Sequence, residues 1–136
     1  MKYLVDGNVL SEGTKSKPIP AARDWLVAHR GLIFINPIVL GELEFGVQLL
    51  PAGRNKEHMR QWLTGNIRAL PVLNIDTDTA VIWAVLLAEQ QSKGRTMPVK
   101  DSLIAATAIQ HGLTVATRNV DDYRYAGVPV VNPFAS

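Results

Sequence analysis

The amino-acid sequence predicts an α/β fold of three layers, in which helices cover both faces of a central parallel sheet of about five strands. Short apolar runs without polar alternation, such as Tyr3–Val5, are typical of strands that are covered on both faces. Longer segments with apolar residues at helical spacing separate these runs. Because parallel neighbours need a crossover connection, the repeated alternation of strand and helix predicts a parallel sheet.

Five apolar runs are predicted to form the strands, and turn residues bound them. The first run stops at Asp6 and Gly7, and the second lies between Gly31 and the pair Asn36-Pro37. The predicted strands are residues 3–5, 32–35, 70–75, 113–116 and 128–131.

Five segments with helical spacing are predicted to form the helices, and capping residues mark several of their ends. Pro51 and Gly53 follow the second helix, Asp76 offers a capping side chain to the fourth, and Gly94 and Gly112 end the last two. The predicted helices are residues 21–29, 38–50, 56–67, 79–93 and 97–111, with a polar loop at 12–20 and a loop or short helix at 117–125.

Length, composition and charge exclude several classes of protein and of functional site. The 136 residues suit one domain, residues 1–136, and the 47% hydrophobic content indicates a globular chain. The absence of cysteine excludes disulfides, thiolate metal sites and a cysteine nucleophile. An aspartate at position 6 does not fit a signal peptide, and no apolar run reaches the ~20 residues that a membrane span needs. We therefore expect a cytoplasmic protein, whose net charge of +2 neither requires nor opposes a nucleic-acid partner.

Asp6 is the first candidate functional residue. It follows the opening strand directly, and ligands of open parallel sheets bind outside the carboxyl ends of the strands. The alternative is that Asp6 only caps the turn formed by Gly7 and Asn8. Two further carboxylates in comparable places favour the functional interpretation.

Glu42 is the second candidate. It is predicted in the early turns of the helix that follows the second strand, and it borders the apolar face that contains Leu43. Glu44 lies about 200° further round the same helix, so the two side chains cannot both point inward. We expect Glu44 to be a solvated charge. A favourable interaction with the helix N-terminus would also explain Glu42.

Asp101 is the third candidate, in the first turn of a helix rich in small residues. Capping explains an acid there about as well as function does. Three acids from three segments are nevertheless predicted at one edge of the sheet. Two carboxylates ~4 Å apart repel by roughly 4 kcal/mol at an effective dielectric of 20, so such a group needs a cation or shared protons. Oxygen ligands alone favour Mg²⁺ or Mn²⁺ over zinc.

Four motifs resemble, in the same order, those of the PIN-domain ribonucleases, specifically the VapC-type toxins of toxin–antitoxin pairs. The resemblance covers nearly the whole chain, and the third motif is the most specific. The motifs are Leu4-Val5-Asp6-Gly7-Asn8-Val9-Leu10-Ser11-Glu12, then Gly41-Glu42-Leu43 with Phe45-Gly46, then Asp101-Ser102-Leu103-Ile104-Ala105-Ala106-Thr107-Ala108, and a closing segment of Thr117-Arg118-Asn119-Val120, Asp122-Tyr123, Gly127-Val128 and Val131-Asn132-Pro133-Phe134.

The chain departs from the family pattern at two positions. Gly7 stands where the family usually has Thr or Ser, so a hydroxyl that would orient a ligand or a water is missing. Asn119 stands where the family often has a fourth aspartate, and either Asn119 or Asp122 is the candidate for an additional metal ligand. Asn8 and Asn36 are candidates for supporting the ligands, although a plain turn role explains each of them equally well.

The resemblance implies a metal-dependent endoribonuclease. Asp6, Glu42 and Asp101 would be the catalytic residues and hold one or two Mg²⁺ ions, with Mn²⁺ as a possible substitute. RNA would be the substrate, and Lys100 and Arg118 are candidate contacts to its backbone.

The resemblance also implies a homodimer and a VapB-type antitoxin that lies in a groove beside the active site. In addition, three predicted helices carry more large apolar residues than one small sheet is expected to bury, and exposed apolar patches indicate interfaces. Completion of the core is the alternative for at least half of them. These residues are Trp25, Leu26, Leu49, Leu50, Met59, Trp62 and Leu63.

Other functions fit less well. An aspartyl phosphotransferase would need a second acid at Asn8, and a phosphoacceptor domain would use Asp76, which a capping role already explains. The most serious alternative is a catalytically weakened PIN domain that acts mainly by binding protein or RNA, because of Gly7 and Asn119.

Overall fold

The computed structural model describes residues 1–135, and the chain forms a three-layer α/β/α fold around a parallel sheet. The spatial order of the strands in these residues is β2-β1-β3-β4. In chain order the strands are β1 (Tyr3–Val5), β2 (Ile33–Phe34), β3 (Thr114–Ala116) and β4 (Val130–Val131). The helices are α1 (Gly7–Leu10), α2 (Pro20–Ala28), α3 (Pro37–Gln48), α4 (Arg54–Trp62), α5 (Thr77–Ser92) and α6 (Val99–His111). The predicted fold class is confirmed.

The central strands pair in the register that brings their carboxyl ends together. β1 pairs with β2 through Tyr3 and Ile33, and with β3 through Val5 and Ala116. Leu4, Val5, Val115 and Ala116 are completely buried. The strands are therefore covered on both faces, as their unbroken apolar runs predict.

The predicted strand at 70–75 is the one that does not form. Within the described part of the chain it contributes a single bridge, between Ile35 and Val72. The backbone nitrogen of Ile35 donates to Pro71, and the nitrogen of Leu73 donates to Ile35. Pro71 has no N–H to donate, which limits a ladder at this outer edge of the sheet.

Two other predicted segments differ from the structure in detail. The polar loop predicted at 12–20 begins with a 3₁₀ turn at Ser11–Thr14 that carries a buried Glu12. Glu12 is tolerated there because its Oε1 accepts a hydrogen bond from the nitrogen of Ile19 at 2.9 Å and its Oε2 pairs with Lys15 at 2.8 Å. The helix predicted at 56–67 ends as an α-helix at Trp62 and continues as a π turn over Leu63–Ile67.

Capping residues define several helix ends, at Asp76 and Gly112 as the sequence predicts and at Asn36 in addition. Asn36 caps α3 through a 3.0 Å bond from the nitrogen of Val39, and Pro37 occupies the first helical position. Asp76 and Thr79 form a reciprocal capping box at the start of α5, so the capping interpretation of Asp76 is confirmed. Gly112 ends α6 in the left-handed conformation. None of the helices in residues 1–135 has the length and apolar character needed to cross a membrane.

Candidate active site

Three acids lie where the sheet ends and helices begin. Asp6 follows β1, Glu42 lies in the second turn of α3, and Asp101 lies in the first turn of α6. Their charges act on one another, because Asp6 contributes to raising the pKa of both Glu42 and Asp101. The fold therefore brings the three predicted carboxylates to one edge of the sheet.

Asp6 is buried, and its two carboxylate oxygens have different partners. Oδ1 accepts a hydrogen bond from the nitrogen of Gly7 at 2.8 Å, so Asp6 does cap α1. Oδ2 accepts a bond from the hydroxyl of Thr117 at 2.9 Å. The amide nitrogen of Asn8 also lies 3.5 Å from Oδ2. The capping and site interpretations of Asp6 are thus compatible.

Thr117 is the residue that organises this corner, although the sequence predicted no role for it beyond its place in the closing motif. Its completely buried hydroxyl donates to Asp6 and accepts bonds from the side chain of Asn8 at 3.3 Å and from the nitrogen of Asn119 at 3.1 Å. Asn8 in turn accepts a bond from the nitrogen of Arg118 at 3.1 Å. Thr117 follows β3 as Asp6 follows β1, and this parallel was the available sequence signal.

Asp101 lies in the most strongly perturbed environment of the three acids. Only 4% of its surface is exposed. Burial and the charge of Asp6 raise its pKa from 3.8 to about 6, while Lys100 opposes this increase. The buried hydroxyl of Tyr123, also absent from the predicted set, donates to Asp101 at 3.4 Å. Burial and the charges of Asp6 and Asp101 raise the pKa of Tyr123, so it stays a hydrogen-bond donor.

Glu42 is held by a cation from α6. The ammonium of Lys100 lies 2.6 Å from its Oε2, and this bond raises the pKa of Lys100. Burial raises the pKa of Glu42 despite the opposing effect of Lys100. The other oxygen, Oε1, is buried and has no hydrogen-bond partner among residues 1–135. Glu44 is half-exposed and pairs with Gln48 and Arg60, as expected for a solvated charge.

The remaining predicted site residues differ in burial and in contacts. Asn36 is buried, but its amide caps α3 and donates to Thr107 of α6, so it fixes two helices against each other. The guanidinium of Arg118 lies over the ring of Phe134, 4.6 Å from its centre. Asn119 and Asp122 are exposed, and the charge of Asp122 contributes to the raised pKa of Asp101.

The donor chemistry of these residues fits a hard cation. The candidate ligands are carboxylates, and Glu42 leaves a buried oxygen without a partner in the described chain. In residues 1–135 no group of three or more His, Cys, Asp and Glu side chains is arranged to hold a metal ion. The ammonium of Lys100 supplies the positive charge beside Glu42 in this conformation. Binding of a cation by all three acids would thus require their side chains to move closer.

The chain is similar to known proteins over most of its length. The PIN domain family model matches residues 3–128. The chain is 34% identical to the VapC ribonuclease Y4jK of Sinorhizobium fredii over 137 aligned positions, which cover 96% of each chain. A crystal structure of FitAcB from Neisseria gonorrhoeae superposes with a TM-score of 0.92 at 33% identity, covering 98% of this chain and 99% of the other. A toxin–antitoxin complex from Klebsiella pneumoniae superposes with a TM-score of 0.74 at 27% identity, covering 98% of both chains. The chain therefore belongs to the PIN-domain family, among its VapC-type members.

Proposed function

We propose that this protein is a Mg²⁺-dependent endoribonuclease and the toxin of a toxin–antitoxin pair. The observation that carries the proposal is the convergence of Asp6, Glu42 and Asp101 at one edge of the sheet, with a raised pKa at Asp101 and an unpartnered buried oxygen on Glu42. Buried acids that perturb one another are typical of catalytic and metal-binding sites. The ribonuclease name of a 34% identical relative supports the same reaction.

In this proposal Asp6, Glu42 and Asp101 hold Mg²⁺, with Mn²⁺ as a substitute. A metal held by these residues would supply Lewis-acid activation of a water and stabilisation of the charge on the phosphate. Thr117 fixes the orientation of the Asp6 carboxylate, and Tyr123 does the same for Asp101.

In the same proposal two cations of the chain contact the RNA backbone. Lys100 and Arg118 lie at the rim, and their positive charges favour a phosphate beside the acids. The half-exposed Lys100 ammonium can move from Glu42 to a phosphate oxygen when a cation neutralises the carboxylates.

A metal titration followed by an RNA cleavage assay tests the reaction. We expect Asp6→Asn, Glu42→Gln and Asp101→Asn each to lose Mg²⁺-dependent cleavage while remaining folded. Glu44→Gln is the matched control, because Glu44 lies on the same helix as Glu42 and pairs with Arg60 at the surface. Wild-type cleavage by one of the three variants would remove that residue from the ligand set. Tight RNA or protein binding without cleavage by the wild type would favour the weakened PIN domain.

The additional ligand is tested separately. If Asn119 takes the place of a ligand, Asn119→Asp should tighten Mg²⁺ binding, because a charged ligand attracts a hard cation more strongly. Asp122→Ala should weaken binding only if Asp122 reaches the metal. Calorimetric titration of the two variants with Mg²⁺ distinguishes these cases.

We further propose that the antitoxin occupies an apolar groove that opens beside Glu42. This cavity of about 530 Å³ is lined by Gly7 and Asn8 at the site and by Met59 and Trp62 of α4. A segment lying there can extend a basic side chain into the acidic pocket, where it neutralises the carboxylates. The VapB-type partner follows from the toxin–antitoxin complexes among the structural relatives.

Antitoxin affinity of the wild type and of Asp101→Asn tests this contact. We expect weaker binding to the variant, because one of the attracting charges is removed. Unchanged affinity would contradict an electrostatic contact at the site.

A second copy of the chain is the other proposed partner. Trp25, Leu26, Met59 and Trp62 pack against the core and Leu63 is buried, which leaves Leu49 as a largely exposed member of the predicted apolar set. On α5, Val81 and Val85 are 59% and 54% exposed and lie one turn apart. These exposed apolar side chains support a homodimer, and the mass of the isolated protein in solution tests it.

A further inference from the structure

A second cavity lies beside the acidic site and is not used by the proposed chemistry. It has a volume of about 300 Å³ and is enclosed by the loop between α5 and α6 and by the segment that follows β3. Tyr125 lines it and is 54% exposed. The guanidinium carbon of Arg95 lies 3.8 Å from the centre of the Tyr125 ring. An arginine and an aromatic ring thus stack on each other at the cavity wall.

The backbone of both residues in this stacked pair is held by Gln90. Gln90 of α5 is 6% exposed, and its amide nitrogen donates a 2.8 Å hydrogen bond to the carbonyl of Tyr125. The backbone nitrogen of Arg95 donates to the carbonyl of the same Gln90 at 2.8 Å. One buried residue therefore holds both partners, which makes the pair a preformed surface.

The cavity adjoins the active site at the start of α6. Pro98 lines the cavity and caps the helix whose first turn carries Lys100 and Asp101. Asp122 lines the cavity as well, and the hydroxyl of the next residue, Tyr123, donates to Asp101 at 3.4 Å. A polymer bound across the acids would pass this opening.

We propose that the Arg95–Tyr125 cavity is a base-binding subsite for an unpaired RNA nucleotide adjacent to the phosphate that is cleaved. The proposal rests on the proposed ribonuclease function and adds to it a stacking site. Unstacked bases pack on aromatic rings and on guanidinium planes. Arg95 and Tyr125 cover one face of each other, and the half-exposed Tyr125 ring offers its remaining surface to a base, with Arg124 further away at 5.9 Å from the ring centre. The arginine also offers a positive charge to the neighbouring phosphate. The substrate selected by this subsite is single-stranded RNA, because a base must leave its own stack to enter it.

A binding assay with modified RNA tests the subsite. The ligands are a short unstructured oligoribonucleotide and a set in which one base at a time is removed to leave an abasic sugar. Affinities are measured with Ca²⁺ in place of Mg²⁺, for the wild type, Tyr125→Leu and Arg95→Gln. We expect Tyr125→Leu to bind the intact RNA about 10-fold more weakly, as stacking energies of this size predict. On the RNA that lacks the stacked base, the variant and the wild type should bind equally.

Two controls separate stacking from charge and from folding. Tyr125→Phe keeps the ring and should bind like the wild type. Arg54→Gln makes the same charge change as Arg95→Gln at an exposed residue outside the cavity, and it should weaken binding less. Melting temperatures of all variants show whether they are folded.

The possible outcomes are distinct. If Tyr125→Leu loses the same affinity for the intact RNA and for every abasic RNA, the ring acts only through the fold. If its RNA affinity is unchanged, no base contacts the ring. Either result overturns the subsite. The proposed ribonuclease function fails on a different measurement, namely the absence of RNA cleavage by the wild type with Mg²⁺. Cleavage by the wild type together with unchanged binding by Tyr125→Leu would overturn the subsite alone.

Discussion

Replacing Asp101 with asparagine should stabilise the metal-free protein at neutral pH. Asp101 is 4% exposed, and its folded-state pKa of about 6 lies above its ordinary value of 3.8. This difference corresponds to at most ~3 kcal/mol of unfavourable free energy for the charged carboxylate in the folded state. The asparagine variant removes the charge and keeps the shape, so we expect its free energy of unfolding to be ~1–3 kcal/mol higher.

The sign of the pH dependence follows from proton binding. Between pH 3.8 and about 6 the folded protein binds more protons at Asp101 than the unfolded chain does. The stability contributed by this group is therefore fully present below 3.8 and is lost as the pH rises through about 6. The advantage of Asp101→Asn should accordingly be largest at neutral pH and should shrink on acidification.

Urea unfolding in EDTA measures this effect at about pH 7.5 and about pH 4.5, and the midpoint should move without a change in slope. Asp24→Asn is the matched control, because Asp24 is an exposed carboxylate whose side chain is 72% accessible, and its replacement should have little effect. An Asp101→Asn variant that is less stable than the wild type at neutral pH, or whose advantage grows in acid, would refute the reasoning. In excess Mg²⁺ the order should reverse, since the wild type alone is stabilised by the metal.

Three further substitutions test individual contacts. Thr117→Val should lower the free energy of unfolding by ~1–3 kcal/mol and weaken Mg²⁺ binding, because it removes the donor to Asp6; Thr117→Ser should retain both properties. Lys100→Met should lower the free energy of unfolding by ~1 kcal/mol, a small value because the ammonium that pairs with Glu42 is half-exposed. The same variant should bind RNA more weakly, and an unchanged RNA affinity would exclude a phosphate contact. Gly7→Ser should raise stability by ~1 kcal/mol, because the backbone φ is not positive and a Cβ added there would lie 3.4 Å from the Leu43 side chain, which is ordinary contact, and 3.7 Å from Glu42 Oε1. Gly7→Ala lacks the hydroxyl and should gain less.

Much of the fold could be read from short stretches of sequence. β1 and β3 form at their apolar runs, α5 begins at the predicted cap Asp76, and α6 ends at the predicted Gly112. These features depend on neighbours along the chain, because capping bonds and turn conformations join residues a few positions apart. The places of Asp6, Glu42 and Asp101, at a strand end and at helix starts, also predicted that the three acids converge, because parallel strands end at one edge of the sheet.

Other features depended on contacts between distant segments, and only the tertiary structure decided them. The segment at 70–75 has a strand-like composition, yet its pairing depends on Ile35 and is limited by Pro71 at the sheet edge. The buried hydrogen bond from Asn36 to Thr107 joins α3 and α6 across 71 positions of sequence. Propensity describes a segment by itself, whereas a ladder or a buried hydrogen bond requires its partner.

The supporting contacts of the candidate active site belong to this second class. Thr117 donates to Asp6 across 111 positions of sequence, and Lys100 contacts Glu42 across 58. The position of Thr117 after β3 and the charge of Lys100 are visible in the sequence, but the partner of each side chain is not. The chemical types of the acids and their places after β1, in α3 and in α6 were determined by the sequence. The hydrogen bonds and charges that set their orientation and pKa were decided by packing, because those forces act over a few ångströms in space and independently of separation along the chain.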